Sequence, residues 1–179
     1  MPARTALEPI FEPGALYAIL LYSKDDNHLE CALFVPDVDE PESAAGTGTG
    51  GFLCHCTNKT ATDWAYELET PKDINLRSCL VLGVRLANLA SLGSHAVVAL
   101  SLEEILRNVP VWGNNHGSVP VSHDWLLDCI AALHDVGFLQ CEDINAFERE
   151  LVSAVKASAI EYKEDKSFRI ISSRYCSDF

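Results

Sequence analysis

Short apolar runs fill the first half of the chain, and apolar residues at helical spacing fill the second. Ala15-Leu16-Tyr17-Ala18-Ile19-Leu20-Leu21-Tyr22 is apolar along its whole short length, which predicts a central strand buried on both faces. Lys24-Asp25-Asp26-Asn27 is a turn signal, and Glu30-Cys31-Ala32-Leu33-Phe34-Val35, ended by Pro36, reads as the second arm of a β-hairpin. Residues 52–57 read as a third strand, and 64–69 alternate as a half-exposed fourth, closed by Pro71. Residues 78–87 and 96–100 are strand-like, on runs too short to separate helix from strand.

Beyond residue 100 the period changes. Ser101-Leu102-Glu103-Glu104 has the form of a capping box and predicts a short helix to about Asn108, followed by a loop over 109–121. The best-marked helix comes next. Pro120 discourages helix before it, Ser122 stands where an N-cap belongs, and Asp124 puts a negative charge in the first turn. Trp125, Leu126, Cys129, Ile130 and Leu133 then make one broad apolar stripe, and Gly137 supplies the stop. A second long helix is expected over 143–159, with Ile144, Phe147, Leu151, Val155 and Ser158 along one face. Strands first and helices later predict an α+β fold, an antiparallel sheet packed against helices.

Composition narrows this picture. At 179 residues and 48% hydrophobic content the chain reads as a single domain whose core needs no disulfide staples. Residues 1–13, with three prolines, read as a loose N-terminal arm. Residues 37–51 read as a flexible Gly/Thr-rich loop, since they lack the Lys-Ser/Thr ending of a phosphate-binding loop. Residues 160–179 read as a polar tail in which Ile170-Ile171 either adds a short strand or packs across the surface. A net charge of −13 argues against nucleic acid, because counterion release needs clustered Lys and Arg. Seven cysteines without regular spacing, behind a start that is no signal peptide, point to reduced thiols and a cytoplasmic protein. No apolar run is long enough for a membrane span. Oligomeric state is not set by any of these features.

The strand Glu30-Cys31-Ala32-Leu33-Phe34-Val35-Pro36, followed by Gly51-Phe52-Leu53-Cys54-His55 and later by a Trp-bearing helix, resembles a known order. It is similar, from about residue 16 to 139, to circularly permuted papain-like families of the lecithin:retinol acyltransferase type. Among these, a group of fungal proteins has an Asn-Cys-Gln-x-Trp helix start. The resemblance implies a permuted papain-like core and a hydrolase- or acyltransferase-like enzyme acting on an acyl, ester, amide or small-metabolite substrate. Position by position, the second-strand histidine of the family matches His55, its first-strand histidine falls on Glu30, and its nucleophilic cysteine falls on Ser122. His28, two residues before Glu30, shares the strand face of Glu30 by alternation.

Several arrangements of these residues are chemically distinct. Ser122 at a helix N-terminus is either a nucleophile, with His55 as base and Glu30 orienting the imidazole, or an N-cap. Alternatively Glu30, His28 and His55 form a non-covalent acid/base set of a lyase, isomerase or cyclase. His123, Trp125 and His116 are the candidates for contact with a small-molecule substrate or ligand. Cys54 and Cys56 lie on the strand face opposite His55, Cys31 on the face opposite Glu30, and Cys129 falls in the helix stripe, all of which reads as core packing. No metal site is expected, since four converging ligands at suitable spacing are missing, and no cofactor is implied. The remaining alternative is a catalytically degenerate pseudoenzyme, a binding module for a small molecule or a protein on the same fold.

Overall fold

A computed structural model describes residues 10–22, 29–37, 50–60, 63–74, 79–111 and 121–179. The chain runs β1 (Ala15–Tyr22), β2 (Leu29–Pro36), β3 (Gly51–Thr60), β4 (Asp63–Glu69), β5 (Leu80–Asn88), α1 (His95–Arg107), α2 (Val121–Asp135), α3 (Ile144–Asp165) and β6 (Arg169–Ser172). The architecture is α+β. One sheet has the order β4-β3-β2-β1-β5-β6. Its first five strands pair antiparallel, as expected, but β6 lies parallel to β5, so the sheet is mixed. A parallel neighbour needs a long crossover, and the three helices between β5 and β6 supply it.

Side chains alternate between two cores. On the inner face, Leu16, Ala18, Leu20, Cys31, Leu33, Cys54, Cys56, Leu82 and Val84 pack with the apolar stripes of the helices. On the outer face a smaller cluster joins Tyr17, Ile19, Phe34, Leu53 and Ile74 beneath Phe11. The Phe11 ring meets Tyr17 and Phe34 edge-on, with centroids 4.8 and 5.3 Å away. Gly83 makes room for it, since a Cβ there would stand 3.0 Å from that ring. The end of the N-terminal arm is therefore not loose: Phe11 is only 2% exposed. Burying an aromatic ring against the apolar outer face outweighs the prolines around it.

Three further expectations are corrected. Residues 96–100 are helical, because α1 begins at His95 and buries Val98, Leu102 and Leu106 at spacings of four. The expected capping box at Ser101 therefore lies inside that helix. The second long helix extends to Asp165, started by Asp143, whose carboxylate accepts from the Ala146 N–H at 2.8 Å. Of the two options for Ile170-Ile171 the short strand holds: both lie in β6, and beyond it buried Glu150 accepts from Ser173 Oγ, Arg174 N and Arg174 Nε. The turn at 24–27 and most of the Gly/Thr-rich loop lie outside the described residues. No described helix is long and apolar enough to cross a membrane.

Candidate functional site

α2 lies across β2 and β3 and brings Ser122 down onto β2. Val121, Ser122, Trp125, Leu126, Cys129, Ile130 and Leu133 form its buried face, close to the stripe read from the sequence. Trp125 sits in the inner core with its ring 6.3 Å from that of Tyr66, whose hydroxyl donates to Cys54 Sγ at 3.5 Å.

Ser122 is 1% exposed, and its Oγ accepts the backbone N–H of Cys31 at 3.1 Å. The β2–β3 register runs from Pro36↔Gly51 to Ala32↔His55. One residue further along, the Cys31 N–H turns to the serine. The hydroxyl thus takes over where the strand ladder stops, and a buried backbone donor is satisfied. Ser122 is neither an N-cap nor an exposed nucleophile; it lies within the first turn of α2 and bonds to the sheet.

His55 and Glu30 face the other way. His55 pairs with Ala32 and Glu30 with Leu21, and both partners belong to the outer core. Cross-strand partners share a face, so the imidazole and the carboxylate stand on the side of the sheet opposite Ser122. The structure does not assemble the Ser122, His55, Glu30 triad. On the outer face His55 Nε2 instead lies 3.1 Å from Glu69 Oε1, and Thr57 Oγ1 donates to Glu67 Oε2 at 3.0 Å. His28 and His116 lie outside the described residues. His123 Nδ1 is 3.3 Å from Asp124 Oδ1, and its Nε2 is 3.8 Å from Glu148 Oε1, so the ring is turned toward α3. Trp125 is core, 1% exposed.

Ser122 meets the sheet at Cys31, whose thiol belongs to a buried group. Cys31, Cys54, Cys56 and Cys129 are all buried in the inner core. Burial pushes the Cys31 and Cys56 thiols up to about 12 and the Cys54 thiol up to about 11. Cys129 is raised well above its ordinary value for the same reason. A thiol that resists ionisation is a poor nucleophile and a poor base. Among the described residues, no group of three or more His, Cys, Asp or Glu side chains could hold a metal ion.

Two features were missed in the sequence. His95, at the start of α1, stands 2.9 Å from Asp37 Oδ1 at the end of β2 and packs its ring against Phe52. Glu150, 8% exposed, is the anchor of the C-terminal segment. The signal for Glu150 was available, since it falls between Phe147 and Leu151 on the apolar face of α3. Alongside it, a groove of about 290 Å³ between α3 and β6 is lined by Glu150, Ser153, Ser158, Arg169, Ser172 and Arg174.

No protein family, curated protein or solved structure matches the chain.

Proposed function

We propose that this chain is a catalytically silent binding module, built on a permuted papain-like arrangement whose nucleophile position has become a packing position. The observation that carries the reading is the Ser122 hydroxyl, buried and committed to the Cys31 N–H. A nucleophile needs a base within hydrogen-bond reach and a path for its substrate. Its described hydrogen-bond partner is a backbone N–H, and the His55 imidazole stands on the opposite face of the sheet. Hairpin-linked strands beneath a Trp-bearing helix are compatible with the papain-like order, and fold analogy of this kind carries no activity with it. The groove between α3 and β6, with its mixed hydroxyl, guanidinium and carboxylate lining, is the concave surface the reading assigns to a small polar ligand.

A fluorophosphonate probe with intact-mass and peptide readout tests this. The expected result is no label on Ser122, together with ligand-induced stabilisation in a metabolite screen that survives Ser122→Ala. Stoichiometric labelling of Ser122, lost in Ser122→Ala, would overturn the reading in favour of a hydrolase.

One observation favours a second reading. His55 and Glu30 share the outer face on neighbouring strands, and His55 is paired with Glu69. That is the outline of a non-covalent acid/base site. Turnover that is insensitive to Ser122→Ala but lost in His55→Gln would support it.

A further inference from the structure

Gln140 and Ser177 form an isolated antiparallel bridge and exchange both backbone hydrogen bonds, at 2.9 and 3.0 Å. The next residue along each segment is a cysteine, Cys141 on one and Cys176 on the other. Beside a doubly bonded antiparallel pair comes the non-hydrogen-bonded kind, with Cα atoms about 4.5 Å apart. That separation lies within the span a disulfide can bridge, about 4.4–6.8 Å. Both cysteines are free thiols, each 6% exposed, and their side chains already share a hydrogen bond. Each is flanked by exposed residues, Gln140 and Glu142 on one side and Tyr175 and Ser177 on the other.

We propose that Cys141 and Cys176 are a redox pair that closes to a disulfide, fastening the C-terminal segment to the connection between α2 and α3.

The chemistry divides between the two thiols. The hydrogen bond from Cys176 holds the Cys141 thiol below its ordinary value, whereas burial drives the thiols under α2 upward. Cys141 is therefore the attacking thiolate. With a small-molecule disulfide as oxidant, Cys141 Sγ attacks one of its sulfurs, the S–S bond breaks, and one small thiolate departs. The mixed disulfide on Cys141 is then attacked by Cys176 Sγ, whose proton passes to solvent. The second small thiolate leaves as the protein disulfide forms. Two protein thiols and one small disulfide become one protein disulfide and two small thiols, with two electrons passing to the oxidant.

Capping Cys141 also removes an obstacle to the second step. The Cys176 thiol is held up first by its hydrogen bond to Cys141 and then by burial, and the first cause ends once Cys141 Sγ is bonded to the small thiol.

The segment so fastened crosses from the sheet to the helices. Ser173 N bonds Arg85 O at 2.9 Å, Asp178 Oδ1 accepts from Asn88 N at 2.6 Å, and the Phe179 ring lies 3.6 Å from where a Gly137 Cβ would stand. In the reduced protein only such non-covalent contacts hold it.

The test uses the full chain, incubated with excess oxidised glutathione, quenched in acid and mapped by peptide mass without reduction. The expected product has lost the mass of two hydrogens and yields one crosslinked peptide pair joining Cys141 to Cys176. Because the bond encloses a loop of about 35 residues, the unfolding midpoint should rise by roughly 5–10 °C and fall back on reduction. Cys176→Ser, if it folds, should trap glutathione on Cys141. A wild-type map with no crosslink, or with a crosslink elsewhere, would overturn the proposal, and it would do so even if the variant failed to fold. None of these readouts depends on whether Ser122 is catalytic.

Discussion

The two faces of β2 and β3 carry opposite chemistry on the same backbone. Inward, Cys31, Leu33, Cys54 and Cys56 meet α2 in an apolar layer where thiols stay protonated. Outward, Glu30, His55, Thr57, Glu67 and Glu69 form a polar surface with its own hydrogen bonds. Residues adjacent in sequence are therefore a full sheet thickness apart in chemistry. Chemistry that needs an imidazole beside a helix-borne hydroxyl cannot draw one group from each face. The inner face commits the Ser122 hydroxyl to closure, and the outer face keeps its polar groups half-buried.

The strongest way to break the inner face is Trp125→Ala. Trp125 is among the largest fully buried side chains, so its removal leaves a cavity costing about 3–5 kcal/mol in urea unfolding. A loss under about 1 kcal/mol would mean that α2 is not seated on the sheet as described.

Alkali should attack the same face next. Thiols whose folded values are raised to about 11 or 12 favour the protonated form in the fold. Their contribution is fully present below the unfolded value near 9 and is lost as pH rises from there toward the folded values. By about pH 10 each should cost on the order of 1 kcal/mol. Urea midpoints measured across this range should fall, and Cys31→Ala should flatten the slope. A profile unchanged by that substitution would contradict the burial assigned to Cys31.

Ser122→Ala sharpens the comparison further. It removes the acceptor of a buried N–H, which should cost about 1–3 kcal/mol, and amide exchange at Cys31 should speed up. An unchanged exchange rate would place the bond elsewhere.

Much of this arrangement was legible in the sequence, and the rest was not for identifiable reasons. Ala15–Tyr22 and the α2 stripe announce themselves because apolar content and period are both decisive there. Strand alternation alone set Cys54 and Cys56 opposite His55, and Cys31 opposite Glu30. Joined to the burial of the α2 stripe, that already turns the imidazole away from Ser122. The family order drew attention to which residues occur and away from which side they face. Residues 96–100 misled because Val97 and Leu100 are exposed, so the apolar run conceals the four-residue spacing of Val98, Leu102 and Leu106. The Cys141–Cys176 juxtaposition had no local signal. It depends on a bridge between segments separated in the chain by α3 and β6.

The smallest expected effect probes the outer face. His55 and Glu69 are 3.1 Å apart with side chains 12% and 37% exposed, so their pairing is only partly withdrawn from water. A partly exposed side-chain pair of this kind contributes about 0–1 kcal/mol, and His55→Gln should destabilise by no more than that. A double-mutant cycle with Glu69→Gln should return a coupling within the same range. The substitution should also leave amide exchange at Cys31 unaltered, since the inner and outer cores are packed from different residues. If His55→Gln instead loosened the Ser122 bond, the two faces would be energetically continuous through β3, and separating their chemistry by side would be wrong.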